Sequence, residues 1–344
     1  MFQEDMAGSP PSCPSAFAAP RLYPSVLAAR LKMTSKEQRK QWEAEQKTLA
    51  ALRVQEDLLD WSCEDGFPDL HRVAGVDVSF FADGTYAIAT VVVLSFPQLK
   101  VLWERSAAFR LSVPYVPGFL AFREVPALAQ LMDSVPCALK PQVVLVDGNG
   151  AFHPRGCGAA THLGITVDLP TIGVAKDVLK VGEVNSSLAR RVSLTLAPGQ
   201  WASLCEVAAL FRPRMGKPLV VSPGHRISLE TALQLTRAIC GTSAPEPVRQ
   251  ADLRSRRAVK AWHAGQEVEY LSNPRLRHLE RVQAVQELAE QGELRTSERV
   301  DVTRSKCKWQ VKAPVVPQVE EDTRTWGSIL FGWMCVCMSR DGQP

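Results

Sequence analysis

Two aspartates stand in apolar strands, where an unpaired charge is costly. Asp77 lies inside Arg72-Val-Ala-Gly-Val-Asp-Val-Ser-Phe80, and Asp147 ends Val143-Val-Leu-Val-Asp147, directly before Gly148-Asn-Gly150. An ionised carboxylate there costs several kcal/mol unless a cation or hydrogen bonds compensate it. A single such Asp can equally be a satisfied structural residue. Glu124, in Pro117-Gly-Phe-Leu-Ala-Phe-Arg-Glu124, adds a third acid. If the three converge, they offer hard oxygen ligands that suit Mg²⁺ rather than zinc. Such clusters serve in-line phosphoryl displacement, in which the ion activates water and stabilises the leaving oxygen.

Basic and aromatic groups accompany them. Lys176 follows the apolar Gly173-Val-Ala and would emerge beside the same sheet edge, where it can meet a phosphate as a point charge. His225, in Ser222-Pro-Gly-His-Arg-Ile-Ser228, fits either proton transfer or a locally bonded histidine at a helix start. Pro114-Tyr-Val-Pro117 holds Tyr115 between two prolines, a stiff tip able to wedge between stacked bases or simply to pack. His153, Arg155 and Arg249 are further donors for phosphate, each of low specificity alone.

The elements that must position these residues can be read in outline. Thr34 and Glu37 have the spacing of a capping box, and an amphipathic helix follows through Trp42, Leu49, Leu52 and Leu58. Three strands, from Arg72, Tyr86 and Val101, are joined by short links and imply an antiparallel meander. A helix (118–132), a strand (143–147), a helix near Ala159 and a strand (172–175) come next. A further strand (219–222) then precedes a helix from Ser228 to about Ile239. This order predicts a mixed sheet with helices on both faces. Asn273-Pro274 caps an expected helix with Leu276, Leu279, Val282, Val285 and Leu288 on one stripe, stopped by Gly292. Residues 1–33 read as an extension, 34–252 as the folded domain, and 253–344 as a divergent tail ending in the apolar Trp326 to Met338 piece.

Composition narrows the class. The 344 residues are 46% hydrophobic and 22% charged, with a formal net charge of +4, so nucleic-acid binding is allowed but not demanded. No stretch reaches the roughly 18 apolar residues of a membrane span. Nine cysteines without CxxC pairs argue against a disulfide framework or zinc ribbon and favour a reducing compartment. Without a targeting peptide the expected location is cytoplasmic, with nuclear or nucleolar visits compatible with the substrate class below.

Taken in series, the motifs resemble the endonuclease V family. They are Val73-Ala-Gly-Val-Asp-Val-Ser79, Pro114 to Glu124, Val146-Asp-Gly-Asn-Gly150 with His153-Pro-Arg155, His162-Leu-Gly164, Gly173-Val-Ala-Lys176, Gly224-His-Arg226 and Pro245 to Asp252. The resemblance spans about Arg72 to Asp252, and its wording is closest to vertebrate members. It implies an α/β fold, an RNase H-like mixed five-stranded sheet with helices on both faces. It also implies Mg²⁺ dependence, with Mn²⁺ as a substitute, and hydrolysis at the second phosphodiester 3′ to inosine. By position, Asp77 and Asp147 match the family's metal-binding aspartates, Glu124 its third acid, and Lys176 and His225 its basic catalytic-site residues. Tyr115 matches the wedge, flanked by Pro114 and Pro117. Gly118, Leu120, Gly148 and Gly150 match the backbone pocket for hypoxanthine.

The vertebrate wording favours inosine-containing single-stranded RNA as the substrate of a monomeric enzyme with no membrane association. Three alternatives stay open: repair of deoxyinosine in DNA, an inosine-binding module blocked by its own tail, and, ranked last, a junction resolvase on the same fold.

Overall fold

The computed structural model describes residues 36–64, 66–272, 274, 275, 278 and 282, all within one compact unit. The expected extension over residues 1–33, the Thr34 cap, most of the Leu276–Leu288 stripe and the apolar C-terminal piece lie outside the described residues.

The meander forms as its turn chemistry predicts. Strands β1 (Arg72–Phe80), β2 (Tyr86–Ser95) and β3 (Val101–Arg110) pair antiparallel in sequence order. In the first link Asp83 Oδ1 accepts from the Thr85 amide at 3.0 Å, and Gly84 takes a φ of +67°. Strand β4 (Val143–Asp147) then lies parallel to β1, and β5 (Thr171–Ala175) parallel to β4.

These five strands, in the order β3-β2-β1-β4-β5, are the expected five-stranded mixed sheet, but they are only part of the sheet. Beyond β5 come β8 (Leu219–His225), β7 (Ala208–Phe211) and β6 (Trp201–Cys205), all antiparallel, and β9 (Tyr270–Leu271) adds to β3. The sheet therefore has nine strands among the described residues, not five. The β6–β7 hairpin escapes sequence reading because its strands are short and its Glu206-Val207 link contains no turn-forming residue.

Helices cover both faces because the central strands carry apolar residues on both sides of the sheet. On one face Ala74, Val76, Val91, Val144 and Val146 pack with α2 (Ala121–Asp133) and α3 (Ala159–Val167), following α1 (Lys36–Leu52) in the chain. On the other, Val73, Val92, Leu145, Ile172 and Val174 pack with α5 (Leu229–Ile239) and α6 (Glu246–His263). Helix α4 (Ser186–Thr195) lies over a separate cluster against β7 and β8. Helix α6 runs straight through residue 252, where the domain was expected to end.

Helix α6 can approach the sheet closely because β1 has a glycine beneath its start. A Cβ on Gly75 would lie 2.0 Å from the Pro247 carbonyl oxygen. No described helix is long and apolar enough to cross a membrane, and the five described cysteines are free thiols.

Candidate active site

Strand register makes the first contact of the site. Pairing Val76 with Val146 in parallel sets the next two residues, Asp77 and Asp147, side by side on strands about 4.8 Å apart. Both share the parity of Val73 and Leu145, the face covered by α6. From that helix Ser255 Oγ donates to Asp77 Oδ2 at 2.5 Å and lies 2.8 Å from Ser79 Oγ. Lys176, one residue past β5, donates from Nζ to Asp147 Oδ2 at 2.7 Å. Glu124 enters from the first turn of α2 and is only 7% exposed.

The charges of these groups are felt mutually. Burial, then the charges of Asp77 and Asp147, push the Glu124 carboxyl well above its ordinary pKa against the pull of Arg123. Burial also raises Asp77; the Ser255 hydrogen bond opposes this, while Asp147 and Asp252 reinforce it. Burial alone would lower the Lys176 ammonium, yet its bond to Asp147 and the charges of Asp147, Asp252 and Asp77 hold it above its ordinary value. Asp77, Glu124, Asp147 and Asp252 thus form an acidic cluster with Lys176 as its cation. A set made only of carboxylate oxygens, with excess negative charge and a buried member driven toward protonation, fits a hard divalent cation.

Sequence reading left Asp252 and Ser255 without a role. They stand three apart on α6 and so share its buried side with Val248 and Ala251. Polar residues at those positions of an otherwise apolar stripe were the available signal.

The structure does not bring His225 to the carboxylates. Its ring is 4% exposed at the far end of β8, where Nδ1 accepts from the Val54 amide at 3.3 Å and Nε2 lies 3.6 Å from Asp168 Oδ1. Burial lowers its pKa despite Asp168. The locally bonded reading of this histidine describes its surroundings.

Tyr115 projects outward, 62% exposed, while Val113 and Val116 on either side are buried with Trp42, Phe119 and Phe122. The prolines at 114 and 117 and these two anchors hold the loop, and the Arg123 guanidinium lies 5.8 Å from the tyrosine ring centre. The Gly118 carbonyl is gripped by three donors: Gln46 Nε2 at 3.1 Å, His153 Nε2 at 3.1 Å and Arg155 Nη2 at 2.6 Å. Because the Arg155 amide donates to His153 Nδ1 at 3.2 Å, the proton of this imidazole sits on Nε2. His153 and Arg155 were expected to meet substrate; their polar atoms instead hold the loop next to Leu120 and the start of α2. Arg249 is held by Glu246 one turn back, with bonds of 2.7 and 2.6 Å.

The Gly148-Asn-Gly150 backbone folds tightly beside Asp147. The Gly150 amide donates to Ser222 Oγ at 2.8 Å, and a Cβ on Gly150 would lie 2.3 Å from the Pro223 oxygen. Asn149 Oδ1 is buried and takes no hydrogen bond.

A mixed sheet whose parallel central strands β1 and β4 carry neighbouring aspartates, with an acidic helix start facing them, defines an α/β domain with helices on both faces of the sheet. Within that class the chain belongs to the endonuclease V family, whose model matches residues 59–253. Mouse endonuclease V is 44% identical over 232 residues, covering 64% of this chain and 69% of that protein. Human endonuclease V is 43% identical over 232 residues, covering 64% and 82%. The crystal structure of the human catalytic domain superposes with a TM-score of 0.63 at 42% identity, over 68% of this chain and all of that one. The Ciona intestinalis enzyme, solved with a 24mer DNA containing an inosine followed by a ribo-adenosine, gives a TM-score of 0.59 at 32% identity, over 66% of this chain and all of that one.

Proposed function

We propose that the protein is a metal-dependent endonuclease that cleaves inosine-containing single-stranded RNA at the second phosphodiester 3′ to inosine, leaving a 5′-phosphate and a 3′-hydroxyl. The observation that supports this reading is the mutual electrostatic influence of Asp77, Asp147 and the buried Glu124, with Lys176 bonded to Asp147. Asp77 and Asp147 would hold Mg²⁺, for which Mn²⁺ substitutes, with Glu124 as the third acid. Bound there, the ion supplies charge that activates water and stabilises the departing 3′-oxygen.

The chain's own groups do the rest. Asp77, kept in place by Ser255, presents a fixed oxygen to the reacting phosphate's surroundings. Glu124, raised in pKa by burial and its neighbours, is suited to orient water and accept its proton. Lys176 offsets charge as it builds on the phosphate. His225 has no part in this scheme, since its ring faces Val54 and Asp168. Tyr115 would separate the strand at the modified base. Main-chain groups around Gly118, Leu120, Gly148 and Gly150 would read hypoxanthine, which differs from adenine in an O6 acceptor and an N1–H donor. Extrusion of the base costs a few kcal/mol, least in single strands.

The ribose 3′ to inosine in the Ciona complex supports RNA, whereas the DNA strand in that complex favours the second reading, deoxyinosine in DNA. Matched RNA and DNA oligomers carrying one inosine, incubated with Mg²⁺, separate the two. Faster cutting of RNA is the expected result, and faster cutting of DNA transfers the reading to repair. Asp77→Ala is expected to slow cleavage at least about 10²-fold; wild-type turnover by this variant refutes the catalytic scheme.

A further inference from the structure

We propose that Glu45, His162 and His278 form a second metal site, built for a zinc-class divalent ion and separate from the carboxylates of the active site. One ligand atom from each of the three lies within 4.8 Å of the others. His162, on α3, is completely buried and His278 is 4% exposed; their Nε2 atoms stand 3.0 Å apart. Glu45 reaches in from α1, and its Oε1 is buried without a hydrogen bond. The edge of Phe122 closes on the His162 ring at 5.2 Å. A cavity of about 60 Å³, bounded by Trp42, Phe122, Pro126 and Arg275, opens beside Glu45 and His278.

Only one proton fits between the two Nε2 atoms, whereas one cation uses both lone pairs and adds its charge to that of Arg275 in offsetting the half-buried Glu45 carboxylate. Two imidazoles and one carboxylate select zinc over the magnesium expected at the active site. Zinc–nitrogen bonds near 2.0 Å set tetrahedral ligand atoms about 3.3 Å apart. The imidazoles are already near that spacing, and the flexible Glu45 closes the rest. The cavity has room for a water as fourth ligand. Glu45 and His278 both lie outside residues 59–253, so the ion would tie the flanking segments to the family core.

The test is to strip full-length protein with a chelator and titrate it with Zn²⁺ against a chromophoric competitor, in wild type, Asp147→Asn, His162→Gln and His278→Gln. Wild type and Asp147→Asn are expected to bind one tight equivalent. Both histidine variants should weaken it more than about 100-fold and lose the zinc-dependent rise in Tm. Tight binding that survives His278→Gln, as thiolates would give, overturns the proposal, and so does the absence of a tight equivalent in wild type. Should either histidine variant fail to fold by circular dichroism, Co²⁺ absorption of the wild type decides. A tetrahedral spectrum without a thiolate charge-transfer band supports the site, and any other spectrum overturns it.

Discussion

Asp77 and Asp147 carry no mutual signal in sequence beyond being charges in apolar strands, yet a single parallel register makes them neighbours. Their opposite partner, Asp252, comes from a helix 105 residues after Asp147 and raises the pKa of Asp77 through space. Asp252→Asn is therefore expected to lower kcat at least about tenfold with little change in Tm, because the residue acts on charge rather than packing. Unchanged kcat in a folded variant would remove Asp252 from the site. His225 shows the reverse case. The resemblance pointed to it as one of the basic catalytic-site residues, but its ring is spent on the Val54 amide. Tyr115 is the plainest residue-scale test, since its ring is largely solvent-exposed. Tyr115→Ala should leave unfolding free energy within about 0.5 kcal/mol of wild type. It should also slow cleavage of base-paired substrate roughly tenfold, with a smaller effect on single strands. Equal effects on both would contradict a wedge.

Elements place these residues with close backbone contacts. Helix α6 brings Asp252 and Ser255 to Asp77 only because Gly75 lets the Pro247 carbonyl sit where a Cβ would be. Gly75→Ala must push the helix outward, and a cost of about 3 kcal/mol is expected in denaturant unfolding, together with loss of cleavage. A stable, active Gly75→Ala protein would show that the helix start tolerates displacement. The meander and helices α2, α3 and α5 were legible from apolar periodicity and turn residues. Helix α4 and the β6–β7 hairpin were not, since α4 is largely polar and the hairpin strands are short with an unmarked link. The role of His153 and Arg155 was equally hidden. Two cationic or donor side chains near a motif suggest phosphate contact, and only packing shows them converging on the Gly118 carbonyl.

At the scale of the whole molecule, buried imidazoles link stability to acid. Burial, aided by Arg155, lowers His153 to about 4, and burial likewise lowers His162 and His225. These folded-state values lie below those of the unfolded chain, so the unfolded state binds protons first as pH falls through about 6.5. Stability is then lost progressively, and for His153 the loss levels off below about pH 4 after on the order of 3 kcal/mol. The urea midpoint should accordingly drop between pH 7 and 4.5, and the drop should be smaller in His153→Gln. Asp77 and Glu124, raised by burial, act in the opposite sense, so the difference between the two proteins is the deciding quantity. Equal drops in wild type and His153→Gln would mean that this ring accepts its proton while folded.

Sequence by itself determined the class of the fold and the family, and it singled out Asp77 and Asp147 as candidates, because apolar strands tolerate a carboxylate only where something compensates it; Glu124, in a helix, was singled out by its motif. It likewise singled out Lys176 and the proline-flanked Tyr115 loop as candidates, since both are set by local chain order. Tertiary structure alone decided that Asp252 and Ser255 join them, that His225 does not, and that the sheet extends to nine strands. Those outcomes depend on strand register, on which face of α6 meets β1, and on contacts between residues far apart in the chain. Local periodicity carries none of that information, since the same alternation or helical stripe fits more than one partner until packing selects it.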